Sequence, residues 1–465
     1  MTLLPLIFLL AWIPIGLILC LRFPMRIALL AIFIGGWAIL PAANYTPQPD
    51  IFPYWILGTG LPSDYFLTKA SIIGLTGLLG LLVFDRKAIR SFELTLWDIP
   101  MMIWGMVPLL SSIANAIPPG TTILNEIYQL LAWVVPYFLG RLYFSDTASL
   151  RLAARAFVIA GLLYIPICLI EVWTGPQFYA HLYGYEPYRW IGAKRYFGYR
   201  PIGLLENGNQ LGIWMATATL IAIWLWFKRI VSRVLNLPIA AVALSLLFTT
   251  LLCQSIGSIV LLLLLLPFVF FNQRTFPRAI ALLMIAGILF FAGLRIANVI
   301  SLRSLVRNNP HAHAAAGFLK RIGRGSFGWR LAEDERQITI ALKKPVLGYG
   351  EWNWWRQGVF RPWSLWLLAF GMYGGIGLSA LEALQMVPVI RVIWFPFARS
   401  DIEAVNLRHA LAASILMSAL DNLLNSSMIL PLLLVVGGMV RWKSAATEVQ
   451  VTVEKRLEII RPEIV

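Results

Sequence analysis

The stretch LLPLIFLLAWIPIGLILCL, Leu3–Leu21, decides how the rest of the sequence is read. An apolar run of about 17–25 residues is what a helix needs to cross roughly 30 Å of hydrocarbon. This one carries no charge, no basic residue precedes it, and Arg22 and Arg26 follow it. That order is the reverse of a cleavable signal peptide, so the run is expected to persist as a first membrane helix.

Working outward, similar runs cover 26–42, 66–84, 97–117, 124–144, 152–173, 205–227, 236–254, 256–272, 276–294, 363–395, 404–422 and 427–441. At Gln254–Ser258, two short helices and one re-entrant hairpin read alike. Across 465 residues, 59% are hydrophobic and 13% charged, with a mean hydropathy of +0.76, the balance of a membrane protein rather than a soluble domain. The expected fold class is therefore all-α, a polytopic transmembrane helical bundle of about 12–13 spans with one large, partly helical extracytoplasmic loop. Residues 1–294 hold the first ten spans, 295–362 the loop, 363–442 the last three spans, and 443–465 a cytoplasmic tail.

Charge orients the bundle. Arg22/Arg26, Arg86/Lys87/Arg90, Arg151/Arg155, Lys228/Arg229/Arg233, Arg274/Arg278, Arg391/Arg399/Arg408 and Arg441/Lys443 fall in every second loop. Cytoplasmic loops gather Lys and Arg, which puts the N-terminus outside and the C-terminus in the cytoplasm. Lys and Arg number 38 against 22 Asp and Glu, a net charge of +16. Much of that excess serves topology, so nucleic acid is not indicated as a partner, while the lipid bilayer is. Two outer loops break the pattern. Residues 174–204 carry Arg189, Lys194, Arg195 and Arg200, and 295–362 carry Arg303, Arg307, Lys320, Arg321, Arg324, Arg330, Arg336, Lys343, Lys344, Arg356 and Arg361. Positive charge that topology does not require is most simply explained by an anionic ligand.

Two segments concentrate the chemistry. Arg200-Pro-Ile-Gly-Leu-Leu-Glu-Asn-Gly-Asn209 sets an arginine, a carboxylate and two amides where an outer loop starts a helix. It reads either as a headgroup contact or as capping by Asn207 or Asn209 with Arg200 snorkelling. In the second, Trp329–Lys344 reads as a helix, acidic early and basic late, stopped by Pro345 and followed by a turn at Gly348 and Gly350. It reads either as ligand-binding or as an amphipathic helix lying on the membrane. Trp352, Trp354, Trp355, Trp363 and Trp366 read first as an interfacial belt and second as a sugar-stacking platform. Glu171, Gln254, Glu382, Gln385 and Asp421 lie inside apolar runs and are expected to face the bundle interior or a cavity. Cys20, Cys168 and Cys253 are each inside an apolar run, and His311-Ala-His313 has no companion ligand, so no metal site is indicated. No Walker loop, zincin helix or Ser/His/Asp set is present, and no cofactor is expected.

Together these segments resemble the O-antigen ligase and O-antigen polymerase superfamily of bacterial envelope proteins. The resemblance rests on Arg200, Gly203, Asn207 and Asn209, on Arg330, Pro345, Gly348, Gly350, Gly371 and Gly374, and on Tyr137-Phe-Leu-Gly-Arg141. It covers about 130–275 and 325–440. Two departures stand out: Ser255-Ile256-Gly257 lacks the arginine of the family's Ser-Arg-Gly, and Arg361-Pro-Trp-Ser364 replaces its His-Asn. The resemblance implies a metal-independent glycosyltransferase or ligase in the bacterial inner membrane. It would move a glycan from a polyprenyl-pyrophosphate carrier to a lipid or glycan acceptor hydroxyl on the outer face. On that reading Arg200 and Arg330 stabilise the pyrophosphate leaving group, with Arg195 and Arg336 supporting them and Asn207, Asn209, Trp352 and Arg361 binding substrate. With the family histidine missing, His311, His313, Glu333, Asp334 and Glu351 are the candidate proton acceptors, Glu351 and His313 foremost. A flippase or transporter of lipid-linked glycans and a non-catalytic envelope-assembly scaffold are the competing readings.

Overall fold

In the computed structural model, residues 3–45, 66–187, 194–270, 275–297, 302–321, 334–358, 361–394, 402–426 and 428–440 are described. The described residues are mostly helical with almost no sheet, and each apolar run of the sequence holds a helix. Among the described residues, six helices are long and apolar enough to cross a membrane: Leu3–Arg22, Leu96–Ala114, Thr147–Thr174, Gly208–Phe227, Arg278–Ile296 and Leu365–Trp394. Met25–Ile39, Lys69–Phe84, Ile239–Leu252 and Ile256–Val269 are apolar but shorter. Local chemistry starts several of them. Thr68 and Asp146 each form a reciprocal capping box with the serine three residues on, satisfying donors that a helix start leaves open.

The Gly208–Phe227 helix is the axis of the bundle. Within its most apolar stretch 89% of residues are buried, against 22% for Leu3–Arg22 at the periphery. Another tight seam joins Val135–Tyr143 to Leu432–Val440. A Cβ on Gly140 would lie 2.2 Å from the Leu434 carbonyl oxygen and one on Gly437 2.0 Å from that of Tyr137, so only glycine lets the backbones meet. Below the seam Arg141 grips Asp98 with two bonds, Nε to Oδ1 at 2.7 Å and Nη2 to Oδ2 at 2.8 Å, while the Tyr137 hydroxyl donates to Oδ1 at 2.7 Å. The Tyr137–Arg141 motif thus locks two helices together.

At Gln254–Ser258 the chain makes two helices, Ile239–Leu252 and Ile256–Phe270, joined by a tight turn with Gln254 at φ +50°. The loop after Thr174 adds a two-residue hairpin, Lys194–Arg195 with Gly198–Tyr199. Its first part clasps the end of Met25–Ile39. Tyr179 accepts from the Ala42 amide at 2.9 Å, Tyr185 donates to the Ala43 carbonyl at 2.8 Å, and Tyr183 donates to Ile39. Burial pushes the Tyr185 hydroxyl up to about 12, which keeps it a donor.

The expected span 363–395 is not one continuous rod. Leu365–Trp394 breaks at Gly374 (φ 63°, ψ −162°). Asn422 bonds both ends of the break's neighbourhood: its carbonyl accepts from the Leu365 amide at 3.0 Å, and its Nδ2 donates to Gln385 Oε1 at 3.0 Å. In a straight helix those residues would stand about 30 Å apart, so the two halves fold back on one another. The corner is filled by 345–350. Tyr349 and Gly350 amides donate to Gly371 and Met372 carbonyls at 3.0 and 2.8 Å, and the Gly375 amide donates to Pro345 at 2.7 Å. Ser111 Oγ donates to the Leu347 carbonyl at 2.5 Å and Asn115 Nδ2 to that of Gly348 at 2.9 Å. The tryptophan cluster is also corrected: Trp352, Trp354, Trp355 and Trp366 are buried, neither a surface belt nor an open platform. Trp354 fills the space above Gly371, where a Cβ would lie 2.0 Å from its ring.

Candidate functional site

Arg200 is placed by a carboxylate far away in sequence. Glu171, fully buried near the end of Thr147–Thr174, accepts the Ile202 and Gly203 amides on Oε2 at 2.8 and 2.6 Å. Its Oε1 takes the Gln177 and Phe178 amides at 3.2 and 3.3 Å. Four amide donors on one carboxylate satisfy its charge inside the fold. They also pin both ends of the 174–204 loop.

From that anchor the Arg200 guanidinium reaches across the start of the axial helix. Nη2 donates to Asn209 Oδ1 at 2.6 Å and to Ser255 Oγ at 3.2 Å. Gly208 lies under it, and a Cβ there would sit 2.4 Å from Arg200 Nε. Asn209 Nδ2 donates onward to Asn425 Oδ1 at 3.2 Å, and Asn425 Nδ2 to Asp421 Oδ1 at 2.8 Å. Side chains from the 200–209 segment, the 253–255 turn and the 421–425 turn therefore form one connected polar group. Ser255, which stands at the departure from Ser-Arg-Gly, is the group that meets Arg200.

Arg195 adjoins this cluster from its hairpin, donating from Nη1 to the Gln254 carbonyl at 3.4 Å. Burial draws its guanidinium below the ordinary value. Gln254 ties the hairpin down by accepting the Phe197 amide at 3.3 Å. Asn207 caps the axial helix, its Oδ1 taking the Asn209 and Gln210 amides, each at 3.0 Å. Its side-chain oxygen is therefore committed to capping, whereas Asn209 faces Arg200. Glu206, more than a cap requires, forms an ion pair of 2.6 Å with Lys69, whose side chain is fully buried and lies 4.0 Å from the Trp37 ring centre.

The large-loop candidates are dispersed. Arg330 and Glu333 lie outside the described residues, as does the start of the expected Trp329–Lys344 helix, whose described portion is helical over 334–341. Arg336 is exposed on that helix, and Asp334 is buried and accepts from Ser364 Oγ at 3.4 Å. His311 and His313 are exposed on the Pro310–Arg321 helix. Glu351 is exposed beside the buried Trp352. Arg361 donates from Nε to the Pro362 carbonyl at 3.2 Å and lies over the Trp363 ring at 4.7 Å. Among the described residues, no hydrogen bond joins His313 or Glu351 to the Arg200 cluster.

Sequence reading passed over Glu171, Ser255 and Asn425 as site components. A carboxylate inside an apolar run was the available signal for Glu171. Comparison with family models, curated proteins and solved structures finds no match to this chain. What the cluster offers chemically is a guanidinium with amide and hydroxyl partners, suited to a phosphate oxyanion.

Proposed function

We propose that this protein is a polytopic inner-membrane glycosyltransferase of the O-antigen ligase or polymerase type. It moves a glycan from a polyprenyl-pyrophosphate carrier to an acceptor hydroxyl on the outer face, with its N-terminus outside and C-terminus in the cytoplasm. About 12–13 spans, counting the shorter apolar helices, frame the site. The observation that carries the reading is the Arg200–Asn209–Ser255 cluster at the head of the most buried helix. Capping needs none of these contacts, because Asn207 already supplies the cap.

As the anomeric bond breaks, the pyrophosphate gathers charge, and Arg200 supplies directed hydrogen bonds to it with Arg195 beside it. Asn209 and Asn425 hold the guanidinium in place. Arg330 is the second guanidinium of the proposal, assigned on the resemblance alone. Reconstituted protein given a polyprenyl-pyrophosphate oligosaccharide and candidate acceptors should release the carrier pyrophosphate and form product. Intact donor with every acceptor would reject the transferase.

One observation favours a transporter of lipid-linked glycans instead: the broken helix at Gly374, since discontinuous helices often line transport sites. Here the freed backbone groups are taken up by the 345–350 segment rather than left for cargo. Donor flipping without transfer in sealed vesicles would select that reading.

A further inference from the structure

The face opposite the Arg200 cluster holds a second gathering of charge. The axial helix runs from Asn209, beside Arg200, to Lys228 at its far end, about 30 Å away at the rise of a helix. At that end a small hollow opens between the axial helix and the Ile256–Phe270, Thr275–Ile296, Leu365–Trp394 and Ile402–Asp421 helices. Leu265, Phe268, Val392 and Leu416 give it apolar walls, and Arg278 and His409 stand among them. Lys228 and Arg408 act on His409 electrostatically, as Arg278 does, and Arg408 is itself buried. Arg278 lies in the first turn of its helix, where the helix end is also positive.

Cations drawn together from three helices repel one another. Topology does not ask for this, because loop charge orients a bundle equally well when it is spread out. Asp98, Asp146 and Glu403 on this face are engaged by Arg141, Arg26 and Arg151. Trp224 supplies a second, independent sign of a ligand. It is 2% exposed, lines the same hollow, and its Nε1 is buried with no hydrogen-bond partner, whereas buried donors are normally paired. A partner that carries negative charge, accepts from an indole and rests on apolar side chains fits all of this, and the phosphate of an anionic phospholipid is such a group. The hollow holds about 30 Å³, room for a phosphate oxygen rather than a whole headgroup. The body of the lipid would therefore lie outside it, along the helix surfaces.

We propose that this hollow is a headgroup site for one anionic phospholipid in the leaflet opposite the Arg200 cluster. Lys228 and Arg278 supply the charge, and Trp224 Nε1 supplies a directed hydrogen bond to the phosphate. Bound there, the lipid fastens together the ends of the axial, Thr275–Ile296 and Ile402–Asp421 helices. The site stands on the membrane-spanning reading and needs no transferase activity.

The test titrates phosphatidylglycerol into full-length protein in phosphatidylcholine nanodiscs, reading Tm, and follows retained lipid by native mass spectrometry. The unaltered protein should gain about 3 °C or more and retain phosphatidylglycerol; no gain and no retention would overturn the site. The Lys228→Gln, Arg278→Gln double variant should weaken the apparent affinity by about tenfold or more. Trp224→Phe, which keeps an apolar ring and removes the donor, should weaken it by about threefold. Arg86→Gln with Lys87→Gln, exposed charges of the same face outside the hollow, should stay within about twofold. Equal weakening in the two double variants would mean diffuse surface charge and overturn the site. A Tm gain with inorganic phosphate equal to that with the lipid would overturn the lipid assignment. If the Lys228→Gln, Arg278→Gln protein fails to fold in phosphatidylcholine, Trp224→Phe decides, and an unchanged affinity there rejects the site.

Discussion

Between Arg200 and Asn209 the chain acts through its side chains, and between Pro345 and Gly374 it acts through its backbone. In the first region a guanidinium, two amides and a hydroxyl from separate turns converge within 2.6–3.2 Å. In the second, glycines at φ +64°, +71° and +63° let one stretch of chain lie in the elbow of a broken helix. Both regions carry the residues on which the family resemblance rests. The first gathers polar side chains at the head of a buried helix, while the second packs backbone against backbone in an elbow.

That contrast can be broken at either end. Gly374→Ala should have the largest effect, because the new Cβ meets the Val346 backbone at 2.2 Å in a left-handed conformation. A loss of about 3 kcal/mol or more is expected, seen as failure to recover monodisperse protein or a large fall in Tm. An unchanged Tm would mean that the elbow is not packed as described. Arg200→Ala should instead leave Tm nearly intact and lower transfer by about 10²–10³-fold, with Arg200→Lys recovering little of it. A variant that loses stability and rate together would move Arg200 into the scaffold.

A smaller effect is expected at the ion pair behind the site. Lys69→Ala removes the cation paired with Glu206 and should cost about 2 kcal/mol, less than a fully buried pair because Glu206 reaches solvent. The Lys69→Met, Glu206→Gln double variant should regain much of that loss in chemical denaturation, and a double variant worse than the single would refute the pairing. Smallest of all, Asn207→Ala should cost about 1 kcal/mol of stability as a lost cap, with donor affinity unchanged. A weakened donor affinity there would extend the site to Asn207.

Much of the helix layout was legible because apolar length is a local property, read directly from runs such as Leu3–Leu21 and 152–173. The fold-back at Gly374 was not, since its cause is the docking of 345–350 from a separate part of the chain. The tryptophans misled for a related reason: a Trp-rich stretch beside an apolar run looks interfacial, and only the space above Gly371 draws Trp354 inward. Arg200 and Asn209 stood out as charge and amide in excess of topology. Ser255 and Asn425 did not, because each gains its role from a contact with a segment dozens to hundreds of residues away, and Glu171, noticeable inside its apolar run, has partners that only the folded 174–204 loop brings to it.

The most direct measurement is the affinity of the reconstituted protein for a polyprenyl-pyrophosphate oligosaccharide, compared between the unaltered protein and Arg200→Ala. The account predicts binding that weakens by about tenfold or more in the variant, with Tm retained. Equal affinity in the two proteins would contradict it.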